Sequence, residues 1–297
     1  MPIKLSHNIE NIPPSATMLM TQLARDLKAE GKNIISMSAG EPDFDTPKTI
    51  KEAAIDAINR GETKYTAVDG IDDLKQAVID KFKNDNNLDY EKGNISIAPG
   101  GKSIIFNAIL STINPGDEVI IPAPYWVSYP DIVKLAGGNP VMIETSPNNN
   151  FKISPDDLEK NITEKTKWLM LNSPSNPTGA VYSKSELKEL AEVLLKYPHV
   201  LIMSDDIYEK IIYDNLEFGT LASIEPRLKD RCLTLNGVSK AYCMTGWRLG
   251  YCGASKEIIA AMNKMQSQSN TSTSSISMAA AVEALEGSQE FIKEHNK

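Results

Sequence analysis

The sequence has few residues of the kinds that build disulfide frameworks and metal centres. Its 297 residues include three cysteines and three histidines. Cys232, Cys243 and Cys252 are odd in number and clustered, which indicates a reducing cytoplasm rather than a disulfide framework. The histidines, at positions 7, 199 and 295, are scattered without ligand spacing, so the sequence predicts no metal site.

Excess positive charge and long apolar runs are also lacking. Lysine and arginine number 31 against 39 aspartates and glutamates, a formal charge of −8. The sequence therefore has no basic footprint for nucleic acid, and its charge argues against an anionic membrane as a partner. No apolar run approaches a membrane span, and the N-terminus lacks the apolar core of a signal peptide. With 41% hydrophobic residues, the chain has ample material for a core, in one large domain or two smaller ones.

Short apolar runs alternate with helical patterns along most of the chain. We predict strands at 34–37, 94–98, 118–121, 140–144, 168–171, 200–203, 232–235 and 249–252. Predicted helices include 16–30 after Ser15 as cap, one that Thr46 caps with Pro47 at its first position, 71–83, 184–196 and 278–285. This alternation predicts an α/β fold with a mostly parallel sheet between two layers of helices.

Residues 236–253, NGVSKAYCMTGWRLGYCG, hold the most informative pair of side chains. Lys240 follows the predicted strand 232–235, and Arg248 returns eight residues later between two glycines. A lysine at the end of a strand can form a Schiff base with an aldehyde cofactor, and an arginine can bind the cofactor's phosphate with its planar fork. The alternative is a surface loop that happens to contain both residues.

The stretch PGGKS lies between a predicted strand and a predicted helix. The glycines at 100 and 101 let the backbone approach an anion, and the helix N-terminus that follows, with Lys102, attracts it. A nucleotide-binding P-loop is excluded because Ser96 stands where that motif needs a glycine. A plain tight turn remains the alternative.

Two further strand ends carry polar side chains. In NSPSNPTG, prolines on both sides of Asn176 fix a loop, with cis bonds as one possible means, that could aim the amide at a ligand oxygen. In SDDIY, Asp205 could pair with a ring nitrogen, and Tyr208 could donate to a phenolate. The alternatives are an ordinary proline turn and a helix cap. Trp126, after a third strand, suits either the core or stacking on a flat ring.

These motifs together resemble a class I aminotransferase of fold type I, which uses pyridoxal 5′-phosphate (PLP), and the bacterial aspartate aminotransferase subgroup in particular. The motifs are SAGEPDFDTP, PGGK, PYWVSYP, NSPSNPTGAVY, SDDIYE and SKAYCMTGWRLGY, in that order from about residue 15 onward. Cys243 stands where the family more often has a small residue.

The resemblance implies a role for each matching residue. Lys240 would hold PLP as a Schiff base and act as general base, Asp205 would pair with the ring nitrogen, and Tyr208 and Asn176 would bond its phenolic oxygen. Trp126 would lie against the ring. Further implied contacts, to the phosphate, come from Gly101, Lys102, Ser239 and Arg248, and from Tyr65 of a second copy. Gly40 would lie near the substrate carboxylate, with Trp126 and Asn176 also contacting the substrate.

The implied function is transfer of an amino group from an L-amino acid, aspartate foremost, to 2-oxoglutarate by a ping-pong mechanism in a homodimer with shared sites. The implied organisation is a small-domain segment at 1–45, a large PLP-binding domain at 46–290, and at 291–297 a helix leading to an absent small domain. Family members are about 400 residues long, so we expect a missing C-terminal part that holds the arginine for the substrate α-carboxylate.

Two alternatives stay open at this point. An aromatic, prephenate or broad-specificity aminotransferase would use the same scaffold. A PLP-binding fragment without activity would result if the missing end is indispensable. The family alignment places Ser267 where one aspartate subgroup has a substrate-binding arginine, so the sequence does not prove an acidic substrate.

Overall fold

The structure, a computed structural model, describes residues 3–10 and 12–296. In these residues a seven-stranded sheet separates two layers of helices. The strands are β1 (Ile95–Ala98), β2 (Glu118–Ala123), β3 (Asn139–Glu144), β4 (Thr166–Asn172), β5 (Leu201–Asp205), β6 (Cys232–Gly237) and β7 (Gly250–Gly253). The α/β fold with a mostly parallel sheet is therefore confirmed.

The helices follow the strands in the alternating order that the sequence predicts. They are α1 (His7–Glu10), α2 (Ala16–Ala29), α3 (Lys48–Asn59), α4 (Asp72–Asn86), α5 (Gly101–Thr112), α6 (Ser128–Leu135), α7 (Pro155–Asn161), α8 (Lys184–Lys196), α9 (Leu221–Ile224), α10 (Lys256–Ser269), α11 (Ser275–Glu286) and α12 (Glu290–His295). Among the described residues, none of these helices has the length and apolar character needed to cross a membrane.

The strand order is β1-β7-β6-β5-β4-β2-β3, and only β7 runs against its neighbours. The carboxyl ends of β1, β2, β4, β5 and β6 therefore meet at one edge of the sheet. One face of the sheet is covered by α5, α6 and α10, and the other chiefly by α3, α4, α8 and α11. The strand β6 is buried at every position and mostly apolar because helices cover both of its faces.

One predicted strand and one predicted helix cap are wrong. Residues 34–37 are irregular rather than a strand, and Ile35 and Met37 are 85% and 90% exposed, because an apolar run becomes a strand only where a partner strand lies beside it. Thr46 does not cap α3, whose N-cap is Pro47. The Thr46 hydroxyl instead donates to the carbonyl of Cys243 at 2.6 Å, a tertiary bond that the local sequence does not reveal.

Candidate functional site

A cavity of about 420 Å³ opens at the edge where the parallel strands end. This volume suits a cofactor-sized ligand. The cavity is lined by most of the side chains that the sequence singled out, namely Gly101, Lys102, Trp126, Asn176, Asp205, Tyr208, Ser239, Lys240 and Arg248. Residues from five strand ends thus converge on one space.

Lys240 lies in the loop after β6 and is partly buried. Its Nζ donates to the carbonyl of Gly40 at 2.5 Å and lies 5.7 Å from the centre of the Tyr208 ring. Burial lowers the pKa of Lys240, the carboxylate of Glu41 raises it, and the positive charge of Arg248 lowers it further. A lysine with a lowered pKa is a better nucleophile and base near neutral pH.

Asp205 ends β5 and is 6% exposed. Its Oδ2 accepts a 2.6 Å hydrogen bond from the hydroxyl of Tyr129, and its Oδ1 accepts one from the backbone of Ile207 at 3.3 Å. Burial raises the pKa of Asp205 to about 6, and the bond from Tyr129 opposes that rise. The carboxyl is therefore mostly ionised at pH 7, yet poorly solvated, so a cation placed beside it would be bound strongly. A turn rather than an α-helix follows, so Asp205 does not cap a helix.

The end of β4 and the loop after it place Asn172 beside Asp205 and Asn176 beside Tyr208. Both proline bonds in this loop, Ser173–Pro174 and Asn176–Pro177, are cis. Asn172 donates to the backbone carbonyl of Asp205 at 2.8 Å and accepts from the backbone of Asn176 at 2.7 Å. The Asn176 amide in turn lies 3.5 Å from the hydroxyl of Tyr208. This chain of bonds brings two polar hydrogens, from Asn176 and Tyr208, to the same part of the cavity.

At the other end of the cavity, Arg248 lies against the N-terminus of α5. Gly100 has a φ of +93°, and a Cβ there would lie 2.5 Å from Nη2 of Arg248. A Cβ on Gly250 would lie 2.5 Å from the backbone nitrogen of Gly101. Only glycines permit this approach, and the guanidinium donates to the carbonyl of Thr245 at 2.8 Å. A guanidinium beside a helix N-terminus is a site for a doubly charged anion.

Trp126 lies at the rim of the cavity, partly buried. Its ring packs edge-on against Tyr129 at a centroid distance of 5.5 Å, and Nζ of Lys102 lies 4.8 Å from its ring centre. Burial lowers the pKa of Lys102, and Arg248 lowers it further. Trp126 therefore packs against the core, partly buried, while stacking on a ligand stays a prediction.

Two predicted site residues lie outside the lining of the cavity. Gly40 reaches the site through its carbonyl, which accepts from Lys240. Tyr65 is 92% exposed and is not among the residues that line the cavity. A single copy of the chain therefore does not bring Tyr65 to the other residues.

The sequence interpretation missed Tyr129 and Asn172. Both belong to motifs that were singled out, PYWVSYP and NSPSNPTG, but neither was given a role. Tyr129 is 76 residues from its partner Asp205, so local sequence offers no signal for their contact. Asn172 could have been predicted as a site residue, because it is a polar residue at the end of a buried strand.

Comparison with known proteins adds a family and close relatives. Residues 32–297 match the family model "Aminotransferase class I and II". The aspartate/prephenate aminotransferase of Cereibacter sphaeroides is 55% identical over 97% of this chain and 72% of that protein. The protein of the same name from Nitrosomonas europaea is 56% identical, with coverage of 97% and 72%.

Solved structures of aspartate aminotransferases have the same fold as this chain. The aspartate aminotransferase of Rhizobium meliloti superposes with a TM-score of 0.97 at 51% identity, over 99% of this chain and 74% of that one. The Thermus thermophilus enzyme, described as an aspartate aminotransferase with maleate, gives a TM-score of 0.95 at 40% identity, over 99% and 77%.

Proposed function

Because this chain belongs to the class I and II aminotransferases, we propose that it transfers an amino group between an L-amino acid and a 2-oxo acid with PLP as cofactor. The observation that carries the proposal is the single cavity shared by Lys240, Asp205 and Arg248. A nucleophilic amine, a buried carboxylate and an anion site, in this order, match the three polar ends of PLP: its aldehyde, its ring nitrogen and its phosphate.

The residues fit this cofactor on chemical grounds. Arg248, Ser239 and the N-terminus of α5 with Gly101 and Lys102 would hold the phosphate. The glycines at 100 and 250 permit the close approach of Arg248 and of β7 to this helix N-terminus. Asp205 would hold the ring nitrogen in its protonated form. Tyr208 and Asn176 would donate to the phenolic oxygen, and Trp126 would cover one face of the ring.

When bound, PLP supplies a pyridinium ring that accepts the electron pair left by an amino acid that loses its α-proton. The protein's part is to hold and move that proton. Lys240, with a pKa lowered by burial, accepts the proton from Cα as general base and donates it again later in the cycle. Asp205 keeps the ring charge in place through a carboxylate that water does not screen.

For the substrate, we propose L-aspartate with 2-oxoglutarate as acceptor, by a ping-pong mechanism. The names of the relatives support aspartate, and the Thermus thermophilus neighbour is described with maleate, a dicarboxylate of the same chain length. Prephenate is a second candidate because relatives at 55% identity carry both substrates in their name.

The test measures activity of the PLP-loaded protein with aspartate, phenylalanine and prephenate as separate partners of 2-oxoglutarate or glutamate. Turnover with aspartate and parallel double-reciprocal plots support the first proposal. Turnover with prephenate alone moves the assignment to the second candidate. Absence of turnover with every pair, at full PLP occupancy, contradicts both and leaves a PLP-binding fragment without activity.

We also propose that two copies share their sites. Tyr65 projects into solvent at 92% exposure. Three residues later in the same loop, the carbonyl of Val68 accepts a 2.5 Å hydrogen bond from the amide of Gln266, which also donates to Ile97 of β1. An exposed tyrosine on a loop that is hydrogen-bonded to α10 fits a role at the phosphate site of a second copy. The three free cysteines fit a reducing cytoplasm.

The division of the chain at 1–45, 46–290 and 291–297 also stays a proposal. In its support, none of the side chains of α2 is buried, and Met18, Leu19 and Met20 are between 55% and 68% exposed. Residues 1–45 would thus belong to a small domain apart from the large one, and 291–297 would begin the helix that leads back to it.

A further inference from the structure

The turn that follows β5 connects the cavity to a buried ion pair on the far side of the sheet. Asp205 at the end of β5 and Tyr208 of this turn line the cavity. The next residue, Glu209, points the other way, and its side chain is 6% exposed. It meets Lys81 of α4, whose side chain is 3% exposed.

Asn86, the last residue of α4, completes a closed ring of bonds with this pair. Lys81 donates to Oδ1 of Asn86 at 2.6 Å, and Nδ2 of Asn86 donates to Oε2 of Glu209 at 2.8 Å. Lys81 also forms an ion pair directly with Glu209. Glu209 therefore has two partners, and Lys81 has a third in Asp85, whose Oδ2 lies 3.9 Å from its Nζ. These bonds fix the carboxylate of Glu209 in one place.

The backbone passes this restraint to the cavity. The amide of Glu209 donates to the carbonyl of Asp206 at 2.9 Å, and the amide of Ile211 donates to that of Tyr208 at 2.8 Å. Tyr208 lies between these two bonds. The Tyr208 hydroxyl lies 3.5 Å from the Asn176 amide, which is the upper limit for a hydrogen bond. A small rotation of the turn would therefore break that contact.

Stability alone is a weak reason for this arrangement. Two buried charges lose their hydration, and replacing such a pair by apolar residues of similar volume is often neutral or stabilising. We propose that the pair Lys81–Glu209, with Asn86, positions Tyr208 so that its hydroxyl reaches the cofactor in the cavity. This inference rests on the proposed function, because Tyr208 needs a fixed place only if a ligand is bound there.

The test compares the double variant Lys81→Met/Glu209→Leu with wild type. The control is Lys196→Met/Glu159→Leu, which removes an ion pair of the same type whose side chains are 58% and 38% exposed. The first readout is hydrogen exchange of amides 206–211 in the cofactor-free protein. The second is the pH midpoint of the visible absorption of bound PLP, and the third compares kcat with KM for aspartate.

We expect the double variant to keep the wild-type melting temperature within a few degrees. Exchange in the turn should rise about tenfold, and the absorption midpoint should move by about one pH unit. In addition, kcat should fall more than KM rises, because Tyr208 contacts the cofactor rather than the substrate. The control should match wild type in all readouts.

Wild-type exchange and an unchanged absorption midpoint in the folded double variant would overturn the proposal. If that variant does not fold, Glu209→Gln keeps the acceptor for Asn86 and removes only the charge that faces Lys81. Faster exchange in the turn, a moved absorption midpoint and a lower kcat are then expected of Glu209→Gln. The absence of these changes counts against the proposal. Failure of wild type to bind PLP would instead contradict the proposed function, and the exchange measurement would still decide whether the pair fixes the turn.

Discussion

Replacing Asp205 by asparagine should stabilise the cofactor-free protein at neutral pH. Burial raises the pKa of this carboxyl from 3.8 to about 6. Well below its unfolded pKa of 3.8, the carboxyl is protonated in both the folded and the unfolded chain, and it does not affect stability. As the pH rises through 4 to 6, the unfolded chain loses its proton first, so the stability of the folded state falls.

The size of the effect follows from the same shift. About two pKa units at 1.36 kcal/mol each give about 3 kcal/mol lost above pH 6. Asparagine has nearly the same shape and no charge. Its oxygen can still accept from Tyr129, and its nitrogen replaces the oxygen that accepts the long 3.3 Å bond from the backbone of Ile207. We therefore expect the free energy of unfolding of Asp205→Asn to exceed that of wild type by less than about 1 kcal/mol at pH 4 and by up to about 3 kcal/mol at pH 7.

With saturating PLP the order should reverse. Wild type gains stability that grows with the logarithm of its affinity for the cofactor, whereas the variant has lost the charge that pairs with the ring nitrogen and gains less. Turnover of the variant should fall by about 100-fold or more. The assay is urea unfolding at pH 4 to 8, with and without PLP.

Asp206 provides a matched control. It is 1% exposed, and burial raises its pKa to about 7, but it bonds the Ser204 hydroxyl and does not line the cavity. Asp206→Asn should also stabilise the cofactor-free protein at pH 8, yet leave PLP affinity unchanged. The reasoning is refuted if Asp205→Asn destabilises the cofactor-free protein at pH 7, or if its effect is the same with and without PLP.

Three further predictions follow from the ends of the site. Arg248→Lys should weaken PLP binding by about 10- to 100-fold in a titration, and unchanged affinity would remove Arg248 from the phosphate site. Gly250→Ala should lower the melting temperature and PLP affinity, at about 1–3 kcal/mol, because its Cβ would lie 2.5 Å from the backbone of Gly101; Gly246→Ala, with nothing within 4 Å, should not. Mixed dimers of Tyr65→Phe and Lys240→Ala subunits should regain activity at one site, and inactive mixed dimers would argue against shared sites.

Much of the fold was predictable because periodicity reports burial. Strands such as β4 and β5 are short apolar runs, and the polar residues that end them, Asn172 and Asp205, mark the edge where ligands bind. The helix α10 was missed. Its buried positions include Gln266, whose polar side chain bonds backbone carbonyls and the Asn107 amide, so its pattern does not look apolar.

The features that were not predicted depend on contacts between residues that are far apart in the sequence. The segment 34–37 has the composition of a strand, but its place in the fold offers no partner. Tyr129 is fixed to Asp205, and Glu209 to Lys81 and Asn86, over separations of 76 and more than 120 residues. Such pairs are decided by how strands and helices pack, which periodicity along the chain does not encode.

The central claim, that Lys240 is the residue to which PLP attaches, is tested most directly by borohydride reduction. The PLP-loaded protein is reduced and digested, and the labelled peptide is identified by mass spectrometry. We predict a single stable adduct on the peptide that contains Lys240, and none in Lys240→Ala. An adduct on Lys102, the other lysine in the cavity, or no adduct in a protein saturated with PLP, would contradict the account.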